Sequence, residues 1–381
     1  MSRARSTAIA ALRSAAPVLA VLFALAVSSL VLLLIGESPV GTFAAMLRYA
    51  SRLDSIVSIL NRAIPLFLAG LAVAAGFRMG LFNIGVEGQY RISALVAAYL
   101  GAIVTLPTGV HLVFVALVGA VVGGLWAGVA ALLKVYRGVH EVISTIMLNF
   151  IATGLAAYLL AEHFREPAVP GDLQIKTAAL PASAMMPSLN WLLEGLGLEL
   201  RRGTHLQGFL LVAVLIGAAF WFLVARTRFG YDLRASGTNP LAAQASGVDQ
   251  GRMILKVMFL SGALAGLVGV SQLVGFFGRY TIDFPVGLGF AGIAVALLGR
   301  NTAVGTALAA LLFGFLDRSA QILDLEDVPK EITTIVQGVI ILAVVIAGEI
   351  ARRAARTQEA VAVSQEVAGE PEAAAAGGGR A

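Results

Sequence analysis

No cysteine occurs among the 381 residues, which excludes disulfide scaffolds, thiolate metal sites and cysteine nucleophiles together. Histidine is nearly as scarce. His111, His140, His163 and His205 fall in four separate segments, none with the HExxH type of spacing that puts two ligands on one face, so a metal centre is not expected. Charge is the third shortage: 13% of residues are Asp, Glu, Lys or Arg, against roughly a quarter in soluble domains. A water-soluble fold needs a charged surface, so the deficit points to lipid as the solvent. A GxxxxGK[ST] phosphate loop is also missing, so any nucleotide must be held by another chain.

What the sequence does contain is apolar length. Hydrophobic residues make up 59% of the chain, with mean hydropathy +0.88. Segments near the roughly 20 residues that cross a bilayer are read at 15–35, 63–77, 92–106, 110–133, 142–161, 209–225, 255–277, 285–298, 302–316 and 332–347. The expected fold is therefore all-α, a polytopic transmembrane helical bundle of about ten spans. Arg3, Arg5 and Arg13 before the first run imitate a secretory signal, but no small-residue cleavage site stands out and more spans follow, so that run is read as a retained helix.

Lys and Arg placement sets the orientation. With the N-terminus inside, the inner segments hold Arg78, Arg91, Lys134, Arg137, Arg226, Arg228, Arg252 and Arg300 among others, and an even span count returns Arg352, Arg353 and Arg356 to the same side. Topology explains the net charge of +5 better than nucleic-acid binding does. The expected organisation is a cytoplasmic N-terminus at 1–14, a transmembrane domain at 15–350 and a tail at 351–381. The Ala-, Gly- and Glu-rich tail has too little to bury and is expected to be disordered. Within the domain, 162–208 lies outside, long enough to form small elements against an external partner, and 226–256 lies inside. Gly119 with Gly123, Gly124 with Gly128, and Gly262 with Gly266 are expected to let helix backbones approach closely.

Three stretches carry polar chemistry. Gly80, Gly85 and Gly88 loosen the helix around Asn83, Glu87 and Gln89, between two short apolar segments. Broken helices beside polar residues mark transport paths; the alternative for Glu87 is a solvated residue in an inner turn beside Arg78 and Arg91. A second interruption at 287–301 suggests an inverted repeat with broken helices. In the fifth span Glu141, Thr145, Asn149 and Thr153 recur every four residues. An amide facing lipid is costly, so Asn149 should face inward, to line a path or to bond a neighbouring helix; Gln272 has the same two readings. In the inner segment, Asn239 suits an N-cap, Pro240 the first helical position and Gly247 a left-handed stop. The result is a short alanine-faced helix, a natural knob for a partner's groove or an amphipathic surface helix.

The segments 80–89, 139–149, 235–243, 261–266 and 289–299, in this order and spacing, resemble the permease subunits of nucleoside and simple-sugar ABC importers, within the group that includes ribose and branched-chain amino acid permeases. The likeness covers roughly 60–350. It implies a transport subunit in the bacterial inner membrane that is not itself an enzyme and binds no cofactor. Its implied partners are a cytoplasmic ATP-binding subunit, a second related permease and an external substrate-binding lipoprotein. By the same likeness Asn83, Glu87 and Asn149 lie near the path, and Arg234, Gly237, Asn239, Pro240, Ala243 and Gly247 belong to the element that docks on the ATPase. An uncharged nucleoside would suit a path lined by amides, hydroxyls and aromatics such as Phe276 and Phe277. The competing class is an ion-coupled secondary transporter, which needs an acid deep in a span; an intramembrane enzyme would need a nucleophile and base, or a metal constellation, that the sequence does not offer.

Overall fold

The computed structural model describes residues 21–167, 174–198, 200–325, 331–343 and 346. The expected N-terminal segment 1–14 and tail 351–381 lie outside the described residues. Helices dominate: α1 (Val21–Leu34), α2 (Pro39–Ala50), α3 (Leu53–Phe77), α4 (Val86–Ile103), α5 (Val110–Arg137), α6 (Glu141–Glu162), α7 (Asn190–Gly195), α8 (Phe209–Arg226), α9 (Arg228–Thr238), α10 (Pro240–Ala245), α11 (Gln250–Gln272, continued by a π-helical turn Leu273–Phe277), α12 (Leu288–Leu298), α13 (Ala303–Leu325) and α14 (Glu331–Ala343). Among the described residues there is no strand, only the isolated bridges Lys176 with Thr281 and Ser188 with Gln207.

Each apolar segment read from the sequence contains a helix. Six of these, α3, α5, α6, α8, α11 with its extension and most of α13, are long and apolar enough to cross a membrane, or seven crossings if α1 and α2 form one. The rest differ for local reasons. Glu87, Gln89 and Arg91 interrupt the hydropathy of the 18-residue α4, while the 11 residues of α12 span about 16 Å, half a bilayer core.

The chain divides into two compact units, 40–333 and the two terminal stretches before and after it. In the terminal unit α1 is apolar except for Ser28 and Ser29, whose hydroxyls bond back to Ala24 O and Leu25 O. In the larger unit α3 and α11 form the centre: 67% and 61% of their apolar windows are buried, against 28% for α5, α6 and α8. These outer helices expose Leu117, Leu125, Phe150, Leu215 and Phe222, as lipid-facing surfaces do.

Packing in this unit is reciprocal. α11 lies on α4 and α5 just as α3 lies on α12 and α13, and α3 and α11 touch each other. The α5–α11 contact is made by backbone: a Cβ on Gly262 would strike the Gly123 carbonyl, and one on Gly266 the Gly119 carbonyl. This is close approach through small residues, a recurrent mode of helix association in lipid. Gly124 meets the Phe259 ring instead, and Gly128 faces open space.

At one end of the unit lie α9 and α10; at the other, the stretch before α8 folds over the end of α11. There Met186 N donates to Val274 O, Leu180 N to Gly278 O and Thr177 N to Tyr280 O, and Arg279 pairs with Glu166 at 3.1 Å. Residues 278–287 then turn back into the bundle and deliver the start of α12 to its centre.

Candidate functional site

α3 stops because the chain tightens after Gly76: Met79 N and Leu81 N both donate to its carbonyl, and Gly80 takes φ +72°. The freed segment 82–85 runs beneath α11, where its polar groups must find partners inside the protein. Asn83, fully buried, supplies them. Its Oδ1 accepts from Gly85 N (3.0 Å) and Gln89 Nε2 (2.9 Å), and its Nδ2 donates to Gln89 Oε1 (3.0 Å) and Ser261 Oγ (2.8 Å). Ser261 in turn donates to the Ala72 carbonyl at 2.6 Å. One asparagine thus ties the start of α4 to both central helices.

Asn149 closes the same junction from α6. Its Nδ2 donates to Ile84 O (2.9 Å) and its Oδ1 accepts from Gly88 N (2.8 Å), so it bonds the neighbouring helix. Thr145 lies against Gly85, but its hydroxyl is used within α6 on the Glu141 carbonyl at 2.7 Å. Glu141 marks the edge of the junction, paired with Lys134 at 2.6 Å.

Glu87 joins the two interrupted helices. Standing in the first turn of α4, its Oε1 accepts from Gly287 N (2.8 Å) and Tyr90 Oη (2.8 Å), and its Oε2 accepts from Gly289 N (2.9 Å). The carboxylate therefore caps α12, where the helix dipole favours negative charge, and three donors offset the cost of burying it. Gly287 reaches its place only with φ +88°, and a Cβ on Gly289 would strike the Glu87 backbone. The two interruptions read from the sequence thus meet at one side chain.

The structure brings together Asn83, Glu87, Gln89, Thr145 and Asn149. Gln272 and Phe276 stand apart, roughly 16 Å or more along α11 from Ser261; Gln272 is half-buried and the Phe276 ring is exposed. Ser261 and Tyr90 carry the junction without standing out in the sequence, since a serine beside packing glycines and a tyrosine in an apolar run look like ordinary core. Arg91, expected in an inner connecting segment, stands within α4 and reaches Thr153 in the middle of α6. No group of three or more His, Cys, Asp or Glu able to hold a metal occurs among the described residues.

At the α9–α10 end the local readings hold. Asn239 Oδ1 accepts from Ala242 N at 3.1 Å with Pro240 first in α10, Gly247 takes φ +88°, and Asp249 caps α11 through Arg252 N at 3.0 Å. A groove of about 990 Å³ runs between α9, α10 and the start of α11, lined by Asp232, Asn239, Ala243, Asp249, Arg252 and Lys256 among others. Arg234 donates to the Val224 carbonyl, Ala243 is buried, and a Cβ on Gly237 would strike the Arg78 carbonyl. These three contacts hold the element to the bundle, and its outward face is Leu241, Ala242, Gln244 and Ala245. Burial beside Arg234 also lowers the Arg78 guanidinium from its ordinary pKa, while Arg78 Nε donates to Asn301 O at 3.0 Å, in the turn after α12.

The model of the family described as branched-chain amino acid transport system / permease component matches residues 55–345, the stretch that holds both interrupted helices. The chain belongs to this family. The permease is 36% identical over 329 residues to the guanosine ABC transporter permease protein NupP of Bacillus subtilis, covering 86% of this chain and 91% of that one. It is 35% identical over 348 residues to the glucose ABC transporter permease protein TsgB13 of Haloferax volcanii, covering 89% and 88%. The nucleoside ABC transporter permease protein NupB of Lactococcus lactis is 28% identical over 330 residues, covering 85% and 88%. It is a multi-pass membrane protein and a transport component.

Proposed function

We propose that the permease is one of two membrane-spanning subunits of an ATP-driven importer for nucleosides or related simple sugars, in the bacterial plasma membrane. The match to NupP over 91% of that protein's length carries this reading. ATP is bound and hydrolysed by a separate cytoplasmic subunit seated against α10 and the groove beside it, and the permease itself holds no cofactor. The second subunit is a related permease. Asn83, Gln89 and Asn149 have every amide group engaged within the chain, so the junction organises the half-helices while the passage itself runs between two subunits. Solute arrives on an external binding lipoprotein that meets the 162–208 side.

In this reading the long helices α3, α5, α6, α8, α11 and α13 cross the membrane, and α1, α4, α14 and the half-length α12 complete about ten spans. Both termini are cytoplasmic, and the reciprocal packing of α3–α4–α5 and α11–α12–α13 is that of an inverted repeat. Closing the ATPase on α10 moves α9, and Gly237 passes the motion to Arg78, which touches both interruptions. A solitary ion-coupled carrier would have to load its ion on Glu87, whose oxygens already receive three protein donors. The test is purification with the candidate ATPase and second permease, followed by ATP-dependent uptake of guanosine and of glucose into proteoliposomes supplied with the external binding protein. Uptake of either supports the reading; assembly without ATP-dependent uptake of any nucleoside or sugar contradicts it.

A further inference from the structure

Arg91 is a cation inside the bundle whose hydrogen bonds leave part of its guanidinium unused. Arg91 lies one helical turn beyond Glu87 on α4 and is half-buried. Its Nη1 donates to Thr153 Oγ1 at 3.3 Å, in the middle of α6, and the Tyr280 phenol, in the segment that turns back after α11, lies near its guanidinium. Its Nε is buried and has no partner. Among the described residues the ion pairs are Lys134 and His140 with Glu141, Arg252 with Asp249, and Arg279 with Glu166, so no carboxylate closes on Arg91. A guanidinium at this depth of an apolar bundle is unfavourable, and ionisable groups kept there face a pathway or a partner. Packing alone would be served by leucine.

We propose that Arg91, with Thr153 and Tyr280, is a solute-recognition site on the transport path that reads an uncharged pair of adjacent hydrogen-bond acceptors. The assignment rests on the permease importing a neutral polar solute. Three features fit that ligand. The guanidinium is a rigid fork of donors that matches two acceptors side by side. Thr153 is an exposed residue and Tyr280 a buried one, which fixes the direction of approach. The Glu87 carboxylate one turn away leaves the neighbourhood near zero net charge, which suits a neutral solute better than an anion. The acceptor pair is either the carbonyl oxygen and ring nitrogen of an oxopurine edge, which arginine engages in a bidentate manner elsewhere, or the vicinal hydroxyls of a sugar.

The experiment compares wild type with Arg91→Lys and Arg91→Gln in the full complex, in proteoliposomes supplied with the delivery protein. It measures initial uptake of guanosine, of adenosine, which carries a donor where guanosine has its carbonyl, and of glucose and 2-deoxyglucose. Both variants should copurify with the ATPase at wild-type yield. For the preferred solute, uptake should fall on the order of 10- to 100-fold, the worth of one bidentate contact, with Lys failing to rescue because it brings charge without the fork. Discrimination between guanosine and adenosine should collapse if the base is read, and that between the two sugars if the diol is read. Wild-type selectivity in both variants, full rescue by Lys, or strong competition by a nucleoside monophosphate would overturn the assignment. ATP-dependent uptake that ignores both substitutions sinks this proposal alone, whereas a wild-type complex that moves none of the four solutes sinks the permease reading with it.

Discussion

Glu87 shows how one residue can hold two half-helices without a covalent or metal link. Gln at this position keeps the shape but turns an –NH2 toward a backbone N–H at the start of α12, leaving donor against donor. Glu87→Gln should therefore destabilise the complex by about 1–3 kcal/mol, read as a lower melting temperature in detergent, whereas Tyr90→Phe removes one of three donors and should cost about 1 kcal/mol. Asn149→Leu should behave like Glu87→Gln, because it strands Gly88 N and Ile84 O in an apolar interior; thermal stability should fall with uptake, and loss of uptake at unchanged stability would mean that Asn149 contacts solute instead. At this scale the sequence was informative wherever a period exposed it. The four-residue recurrence of Glu141, Thr145, Asn149 and Thr153 pointed one face of α6 inward, and that face does meet α4. Ser261 and Arg91 escaped because their roles depend on partners 178 and 62 residues away, which no local pattern reports.

Among elements, α9 and α10 divide their work. α10 was legible residue by residue, from the Asn239 cap to the Gly247 stop, because capping chemistry is local. What the sequence could not separate was the face turned to the bundle from the face turned away, since alanine serves both. The structure buries Ala243 and leaves Leu241 77% exposed. Leu241→Asp should accordingly abolish copurification with the ATPase while the chain still inserts and melts as wild type. Gly237→Val should do the reverse, retaining the ATPase but forcing α9 away from the Arg78 carbonyl, so that ATP is hydrolysed with little uptake. Joint measurement of hydrolysis and uptake separates the two, and equal effects of both variants would count against a division between docking and transmission.

For the whole molecule, composition alone settled the class: so few charges on so long a chain leave lipid as the only solvent that fits. The reciprocal packing of α3 on α12 and α13 and of α11 on α4 and α5 was barely visible, because it joins segments far apart in the chain, and only the paired interruptions near 80–89 and 287–301 hinted at it. The structure also shows what Asn83, Glu87 and Asn149 do within the chain: their polar groups join half-helices whose backbones would otherwise be unpaired.

The most direct test of the account is a transport assay in sealed vesicles supplied with the external binding protein, with the permease purified either alone or together with its ATPase and second permease. The account predicts that only the assembled complex accumulates solute, that it does so on addition of ATP, and that it continues when ion gradients are collapsed. Accumulation by the lone chain, driven by a proton or sodium gradient and indifferent to ATP, would contradict it.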